Sequence, residues 1–393
     1  MINKTLQKKI LAASDEILPS AWKLAKAIFD KPELAYLEFE AAKALEGFLK
    51  EEGFSVETNI ADIPTAFRAK QGKGKPVLAF LAEMDALKGM GHACGHHLIA
   101  ASSAAAATVL TRSFDRLPGT VEVIGTPAEE GGGGKVVMAE AGVFDSIDAA
   151  MIAHPDRRTE IYKRSLGVVE LEVVFTGRAA HAAAYPEDGI NALDAVIQTF
   201  NAVAMLRQQL PEKVRVHGII SDGGQAPNII PEQAAARFYA RGLTVEETLR
   251  IAEKVRDCAK GAAKATGCKL GSKLVKKHMY APYVPNRALA GEFEKYLEIL
   301  GEKVDNGPED EGMGSTDVGN VCLRAPVIHP LMALPGVVYG VHTTDFAKAA
   351  GSDPGKKMLA VAIKALAMTG ASFLTDPELR KKVAKEHKEK AGR

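Results

Sequence analysis

Four cysteines, Cys94, Cys258, Cys268 and Cys322, are all that the 393-residue chain contains, and no two of them form a C-x-x-C pair. Neither a zinc ribbon nor a disulfide framework is therefore indicated. The chain also lacks an excess of charge: 50 Lys+Arg against 49 Asp+Glu leave +1. A nucleic-acid protein needs clustered basic charge to neutralise phosphates, so no nucleic-acid partner is expected. Long apolar runs are missing as well. Even the Ala-rich Leu98–Leu110 is too short to span a bilayer, and no membrane partner is expected. The first thirty residues carry charges throughout and no uninterrupted apolar stretch, so they do not read as a signal peptide, and the expected location is cytoplasmic. What is present is ordinary globular material: 47% hydrophobic and 25% charged residues, over a length that allows two to three domains.

Residues 2–54 read as two amphipathic helices separated by Asp30-Lys31-Pro32, with Glu52-Gly53 ending the second. Pro76–Leu81, Val121–Ile124 and Ala149–Ala153 are short apolar runs of the kind buried on both faces of a parallel sheet. A helix over Leu98–Thr111 lies between the first two. After Ser165 the pattern changes. Val168–Phe175 alternates, with Glu170 and Glu172 on one face and Val169, Leu171 and Val173 on the other, as in a half-solvated antiparallel strand. A helix over Asn191–Gln209 follows, then strands near Val214–Ile220 and Ala234–Ala240. A capped helix opens at Thr244, and a last strand lies near Lys269–His278. This β-α-β-β-α-β order fits a ferredoxin-like insertion. Beyond Pro285 the alternation returns, with helices at Ala288–Leu300 and Gly355–Met368 and a strand near Val337–Tyr339. The tail Lys381–Arg393 reads as a charged helix end or a frayed terminus. The expected architecture is α/β: a mixed, largely parallel sheet with helices on both faces, interrupted by a ferredoxin-like α+β domain. The expected boundaries are 1–166, 167–280 and 281–393.

Three of the strands run into polar clusters, and in open α/β sheets ligands bind outside the carboxyl ends of strands. Pro76–Leu81 leads to Glu83, Asp85 and Gly91-His-Ala-Cys-Gly-His-His97. A thiolate and imidazoles in a Gly-flexed turn suit zinc and similar divalent metals, and together they favour a metal site over a lone buried cysteine beside surface histidines. Val121–Ile124 leads to Glu129-Glu130, in TPAEEGGGG. Adjacent carboxylates repel unless a metal takes one and the other moves protons, and a solvated acidic turn is as good a reading of this segment alone. The glycines do not form a phosphate cradle, because Lys135 is followed by Val136 rather than Ser or Thr. His154 and His342 each follow an apolar strand and, taken alone, fit structural histidines. His181 follows the first strand of the insertion and fits a turn-packing role as well as a functional one. Cys258, Cys268, His217, His278 and His387 show no cluster.

Taken together, these segments resemble the M20 family of metallopeptidases and amidohydrolases, in the aminoacylase-1-like branch with a Cys-Gly-His metal motif. The resemblance runs through Pro32-Glu-Leu34, Ala82–Leu87, Gly91–His97, Thr126–Glu130, Ala153–Pro155, Gly177 through His181 to Leu193, Gly223–Pro231 and Gly314–Asn320. It implies a zinc-exopeptidase-like catalytic domain with an inserted lid and dimerisation domain, and two divalent ions per chain, with zinc favoured over manganese. It further implies metal ligands at Cys94, His96, Glu130, His154 and His342, a general base at Glu129, and an orienting acid at Asp85. On the lid, His181 matches a histidine that reaches the partner subunit's active site in a homodimer and supports the oxyanion, and Asn228 matches a substrate contact. The lid would close by hinge motion near Ser165–Val168 and Met279–Val284. Glu83 departs from the pattern, since many members carry a ligand histidine there. So does His97, where Asp or Asn is common, and Ile99 stands where another branch has a further histidine.

The implied reaction is hydrolysis of the amide bond of an N-acyl amino acid or dipeptide, by a metal-activated water with a Glu base. Two alternatives stay open: a hydrolase of another C–N bond, such as a p-aminobenzoyl-glutamate or aryl amine substrate, and a non-catalytic binding protein. Intact Glu129 argues against the last. Arg178, Arg237 and Arg241 could each pair a substrate carboxylate or simply be surface charges.

Overall fold

The computed structural model describes residues 2–391 and divides the chain into two compact units. The first takes Met1–Arg164, Val284–Met313 and Asp317–Arg393. It opens with helices α1 (Lys4–Phe29) and α2 (Phe39–Glu51), followed by strands β1 (Ser55–Thr58), β2 (Phe67–Gly72) and β3 (Val77–Ala82). Helix α3 (His96–Ser113), β4 (Thr120–Gly125), α4 (Gly134–Glu140), β5 (Ala149–Met151) and β6 (His154–Asp156) complete its first part. The second unit, Ser165–Tyr283 with Gly314–Thr316, carries β7 (Gly167–Thr176), α5 (Ala192–Leu206), β8 (Arg215–Asp222), β9 (Gln233–Gly242), α6 (Val245–Thr266) and β10 (Lys269–Tyr280). The chain then returns to the first unit with α7 (Arg287–Ile299), α8 (Val318–Cys322), β11 (Val327–Ile328), β12 (Leu331–Ala333), α9 (Thr344–Ala350), α10 (Asp353–Thr375) and α11 (Pro377–Ala391).

The main sheet of the first unit runs β1-β2-β4-β3-β5-β11. Its β4-β3-β5-β11 half is parallel, and its β1-β2-β4 edge is antiparallel. The apolar runs are central strands because both faces are covered: Leu78, Phe80, Val121, Val123 and Met151 are fully buried in one core with residues of α1, α3, α7 and α10. Helix α3 is buried along almost its whole length, and its alanines (Ala100, Ala101 and Ala104–Ala107) let α1 and α10 approach closely. Helix α10 is long and apolar enough to cross a bilayer, but 78% of its apolar window is buried inside the structure.

The second unit is a four-stranded antiparallel sheet, ordered β10-β7-β9-β8 and built in the β-α-β-β-α-β sequence. Val169, Leu171 and Val173 pack in one core with residues of α5 and α6. Thr244 caps α6 by accepting from Glu247 N. Gly314–Thr316 joins this unit because Leu166 N donates to Gly314 O (2.8 Å) and Ser315 Oγ to Leu166 O (2.7 Å).

Some expectations change. Val337–Tyr339 is a loop rather than a strand: Val337 N turns back to Leu334 O, and Val338 is 75% exposed, with no strand paired to it among the described residues. The strand pairing falls instead to β11, beside β5, and β12, beside β6. Glu170 is buried rather than solvated, beside Arg237. Helix α3 begins at His96, two residues before the expected Leu98, because Gly95 turns the chain at φ +78°. The side-chain surroundings of His278, and residues 392–393 of the tail, lie outside the described residues.

Candidate active site

The carboxyl ends of β3, β4 and β5 deliver three polar segments to one place. After β3 come Glu83 and Asp85, then the turn that opens α3. After β4 comes the loop to Glu129 and Glu130, and after β5 comes His154. Gly95 permits this packing: a Cβ there would lie 2.5 Å from Pro155 Cγ, and the backbone is left-handed.

Three groups of potential ligand atoms lie within 4.8 Å of one another: Cys94, His96 and His154; Cys94, Glu130 and His342; and His96, Glu129 and Glu130. His154 Nδ1–H donates to Pro155 O (2.7 Å), so its Nε2 lone pair faces Cys94 Sγ at 3.3 Å. His96 Nδ1–H donates to Asp85 Oδ1 (2.9 Å), while Asp85 Oδ2 accepts from Glu130 N (2.9 Å). One buried carboxylate thus fixes a histidine and the backbone of a glutamate, and leaves His96 Nε2 facing the cluster. That nitrogen is buried without a hydrogen-bond partner among the described residues. His342 enters from a left-handed turn at φ +64°, held by its N–H to Ala93 O (2.9 Å), and its Nε2 lies 3.2 Å from Glu130 Oε1. The sequence reading put it at the end of a strand, which it is not.

Burial dominates the electrostatics. It pushes Glu129 well above the usual carboxylate range, and Glu83, Asp317 and Glu130 add to that. Burial would raise Glu130 too, but the His342 hydrogen bond and the charge of His96 hold it at about 2. Burial would lower His96, and Asp85 overcomes this and raises it well above its ordinary value. Burial pushes the Cys94 thiol well up. The adjacent glutamates are therefore split, one favouring its proton and the other its charge, as proton transfer beside a cation site requires.

Of the residues singled out from sequence, Cys94, His96, Asp85, Glu129, Glu130, His154 and His342 come together. His181 and Asn228 belong to the second unit, and both are exposed. There His181 Nδ1 accepts from Ala183 N and Ala184 N (3.3 and 3.2 Å), and Asn228 O accepts from Ala182 N (3.0 Å). In the same unit, Arg178 bonds Asp188 O, Arg237 faces Glu170 and Arg241 bonds Ser315 Oγ. His92 and His97 stay out of the cluster: their Nε2 atoms bond Ile28 O and Ala350 O, the carbonyls near the ends of α1 and α9.

Three further groups were not singled out. His329, buried, stacks edge-on to His154 at 5.2 Å, and Lys135 and Asp317 form a buried ion pair at 2.7 Å. A signal for His329 existed. Ile328-His329-Pro330 repeats the Ala153-His154-Pro155 pattern, an apolar strand running into His-Pro.

Residues 79–345 match Peptidase family M20/M25/M40. The mouse (Mus musculus) Xaa-Arg dipeptidase is 37% identical over 404 residues, covering 98% of this chain and 92% of that protein. One of the two subunits of the Escherichia coli (strain K12) p-aminobenzoyl-glutamate hydrolase is 35% identical, covering 73% of this chain and 63% of that one. The solved structure of the Bacillus subtilis YXEP protein, a dinuclear metal binding peptidase from M20 family, superposes with a TM-score of 0.69 at 21% identity, over 90% of this chain and 98% of that one. The chain belongs to peptidase family M20, hydrolases acting on amide bonds.

Proposed function

We propose that the protein is a metal-dependent amidohydrolase that cleaves a dipeptide or N-acyl amino acid amide. The observation that carries this is the convergence of Cys94, His96, His154, Glu130 and His342 on one cluster beside Glu129. The donor set fits divalent ions: two of its groups share only Cys94, which suits a pair of ions, and His96 Nε2 is buried without a partner among the described residues. Cys94, His96 and His154 favour zinc, and the carboxylate of Glu130 would tolerate manganese.

Bound ions would supply a Lewis acid for the carbonyl and lower the pKa of a water. Glu129 takes the proton of the attacking water and returns it to the leaving amine, which could not depart as an anion. Its raised proton affinity suits both halves of that task. Asp85 keeps His96 and Glu130 in place throughout. With Nδ1 accepting two backbone N–H groups, neutral His181 carries its proton on Nε2, a donor suited to an oxyanion. In this reading His181 serves the partner subunit's site in a homodimer, and Asn228 contacts substrate.

The dimer reading is supported by the free edge of β8, with exposed Ile219 and Ile220, and by exposed Ile197 and Met205 on α5. A metal-ligating thiolate and four free cysteines suit a reducing, cytoplasmic compartment.

The full-length likeness to a protein named Xaa-Arg dipeptidase favours dipeptides with a basic C-terminal residue. The Escherichia coli relative supports the second reading, p-aminobenzoyl-glutamate. A panel of Xaa-Arg and Xaa-Lys dipeptides, N-acetyl amino acids and p-aminobenzoyl-glutamate, assayed before and after chelation, tests this. Chelator-sensitive release of free Arg or Lys is expected. Preferential cleavage of p-aminobenzoyl-glutamate would replace the dipeptide reading, and cleavage that survives thorough chelation would contradict metal dependence.

A further inference from the structure

Lys135 is the second residue of α4 and is fully buried. Its Nζ lies 2.6 Å from Glu83 Oε1 and 2.7 Å from Asp317 Oδ1, and its backbone N–H donates to Asp317 Oδ2 at 2.9 Å. Side chain and main chain are held together, so the ammonium has one position. Glu83 is held with it, 1% exposed at its side chain. With Oε1 on the lysine, Oε2 stands 3.6 Å from His96 Nε2, and neither atom has a hydrogen-bond partner among the described residues. Asp85 already takes the other nitrogen of that ring.

A carboxylate oxygen and an imidazole lone pair, both buried and facing one space at a separation too long for a hydrogen bond, are poorly satisfied as they stand. Stability does not account for them, since a buried ion pair contributes little over an apolar replacement of the same volume. A cation carried by His96 Nε2 would satisfy both atoms. Glu83 lies outside the three ligand groups, one step behind His96, where it can tune such an ion through its charge.

We propose that Glu83 is a further carboxylate facing the metal centre, that Lys135 is the positioning residue that aims it, and that the pair sets the affinity of the ion carried by His96. This rests on the metal-dependent reading above. It adds a residue to that centre, and it gives the lysine after the glycine run a purpose other than phosphate binding.

The test uses full-length protein stripped of metal and titrated with Co2+. Calorimetry follows stoichiometry and affinity, and the thiolate-to-cobalt absorption of Cys94 follows the site itself. Glu83→Gln keeps shape and removes charge; it should bind one Co2+ equivalent about 10- to 100-fold more weakly, the usual cost of losing a group that supports a metal ligand. Lys135→Met should show the same loss together with a lower melting temperature, because two buried carboxylates lose their cation. In the double variant Glu83→Gln/Lys135→Met, melting should recover in part while affinity stays low. Wild-type affinity in Glu83→Gln would overturn the inference. So would a double variant in which affinity recovers along with stability, since the pair would then be structural only. Wild-type protein that binds no Co2+ would overturn the metal reading itself, a separate result from either.

Discussion

His92 and His97 flank Cys94 and His96 in one seven-residue turn, yet the two pairs meet opposite surroundings. His92 and His97 face helix-end carbonyls and the Phe29 ring, with His97 4.9 Å from that ring. Burial depresses both, His92 to about 4 and His97 well below its ordinary value, so they are neutral structural groups. Cys94 and His96 face carboxylates, and Asp85 makes His96 basic. Residue type and spacing cannot separate the pairs. What separates them is the partner on the second ring nitrogen. A carbonyl on Nε2 ties a histidine to the fold, and a carboxylate on Nδ1 leaves Nε2 directed at a ligand.

The sharpest break of that comparison comes on the carboxylate side. Glu129→Gln should keep its metal and lose kcat by about three or more orders of magnitude, measured with elemental analysis beside steady-state rates. Substantial turnover would remove Glu129 as the base. Next in size, His181→Ala should lose about 10²- to 10³-fold in kcat, as for loss of one oxyanion donor. Mixing it with Glu129→Gln chains should restore activity if sites are shared across a dimer, and absence of complementation would count against sharing.

The carbonyl side should respond in stability and leave the metal in place. His97→Ala removes a buried ring and its bond to Ala350 O, and should cost on the order of 2–4 kcal/mol in chemical denaturation at unchanged metal content. A loss of metal with little loss of stability would place His97 on the other side of the comparison. The smallest effect is in pH. His92 has a folded value of about 4, below its ordinary 6.5, so its contribution is complete above 6.5 and is lost as pH falls from there toward 4. The melting temperature of metal-free protein should decline over that window, and His92→Phe should flatten the decline. An unchanged acid flank would show that His92 does not titrate on unfolding.

Much of the fold was legible because its strands are apolar runs of strand length and its second unit alternates at period two. Val337–Tyr339 misled because Val-Val-Tyr is a strand-like composition at an exposed turn, where no neighbouring strand could pair with it. In the site, the Gly91–His97 turn and Glu129-Glu130 stood out as dense clusters. Lys135, Glu83 and Asp317 did not, because their relation exists only in space: 182 residues separate the lysine from its aspartate. The sorting of four neighbouring side chains into two roles was equally hidden, since it depends on Ile28, Asp85 and Ala350, none of which belongs to the turn.

The most direct test of the account is the metal content of the purified protein and of Cys94→Ala, each measured by elemental analysis after reconstitution with zinc or manganese. The account predicts about two equivalents per chain in the wild type, and loss of at least one in the variant because both ligand groups lose their shared sulfur. A wild-type chain that takes up no metal, or a Cys94→Ala chain that holds as much as the wild type, would contradict it.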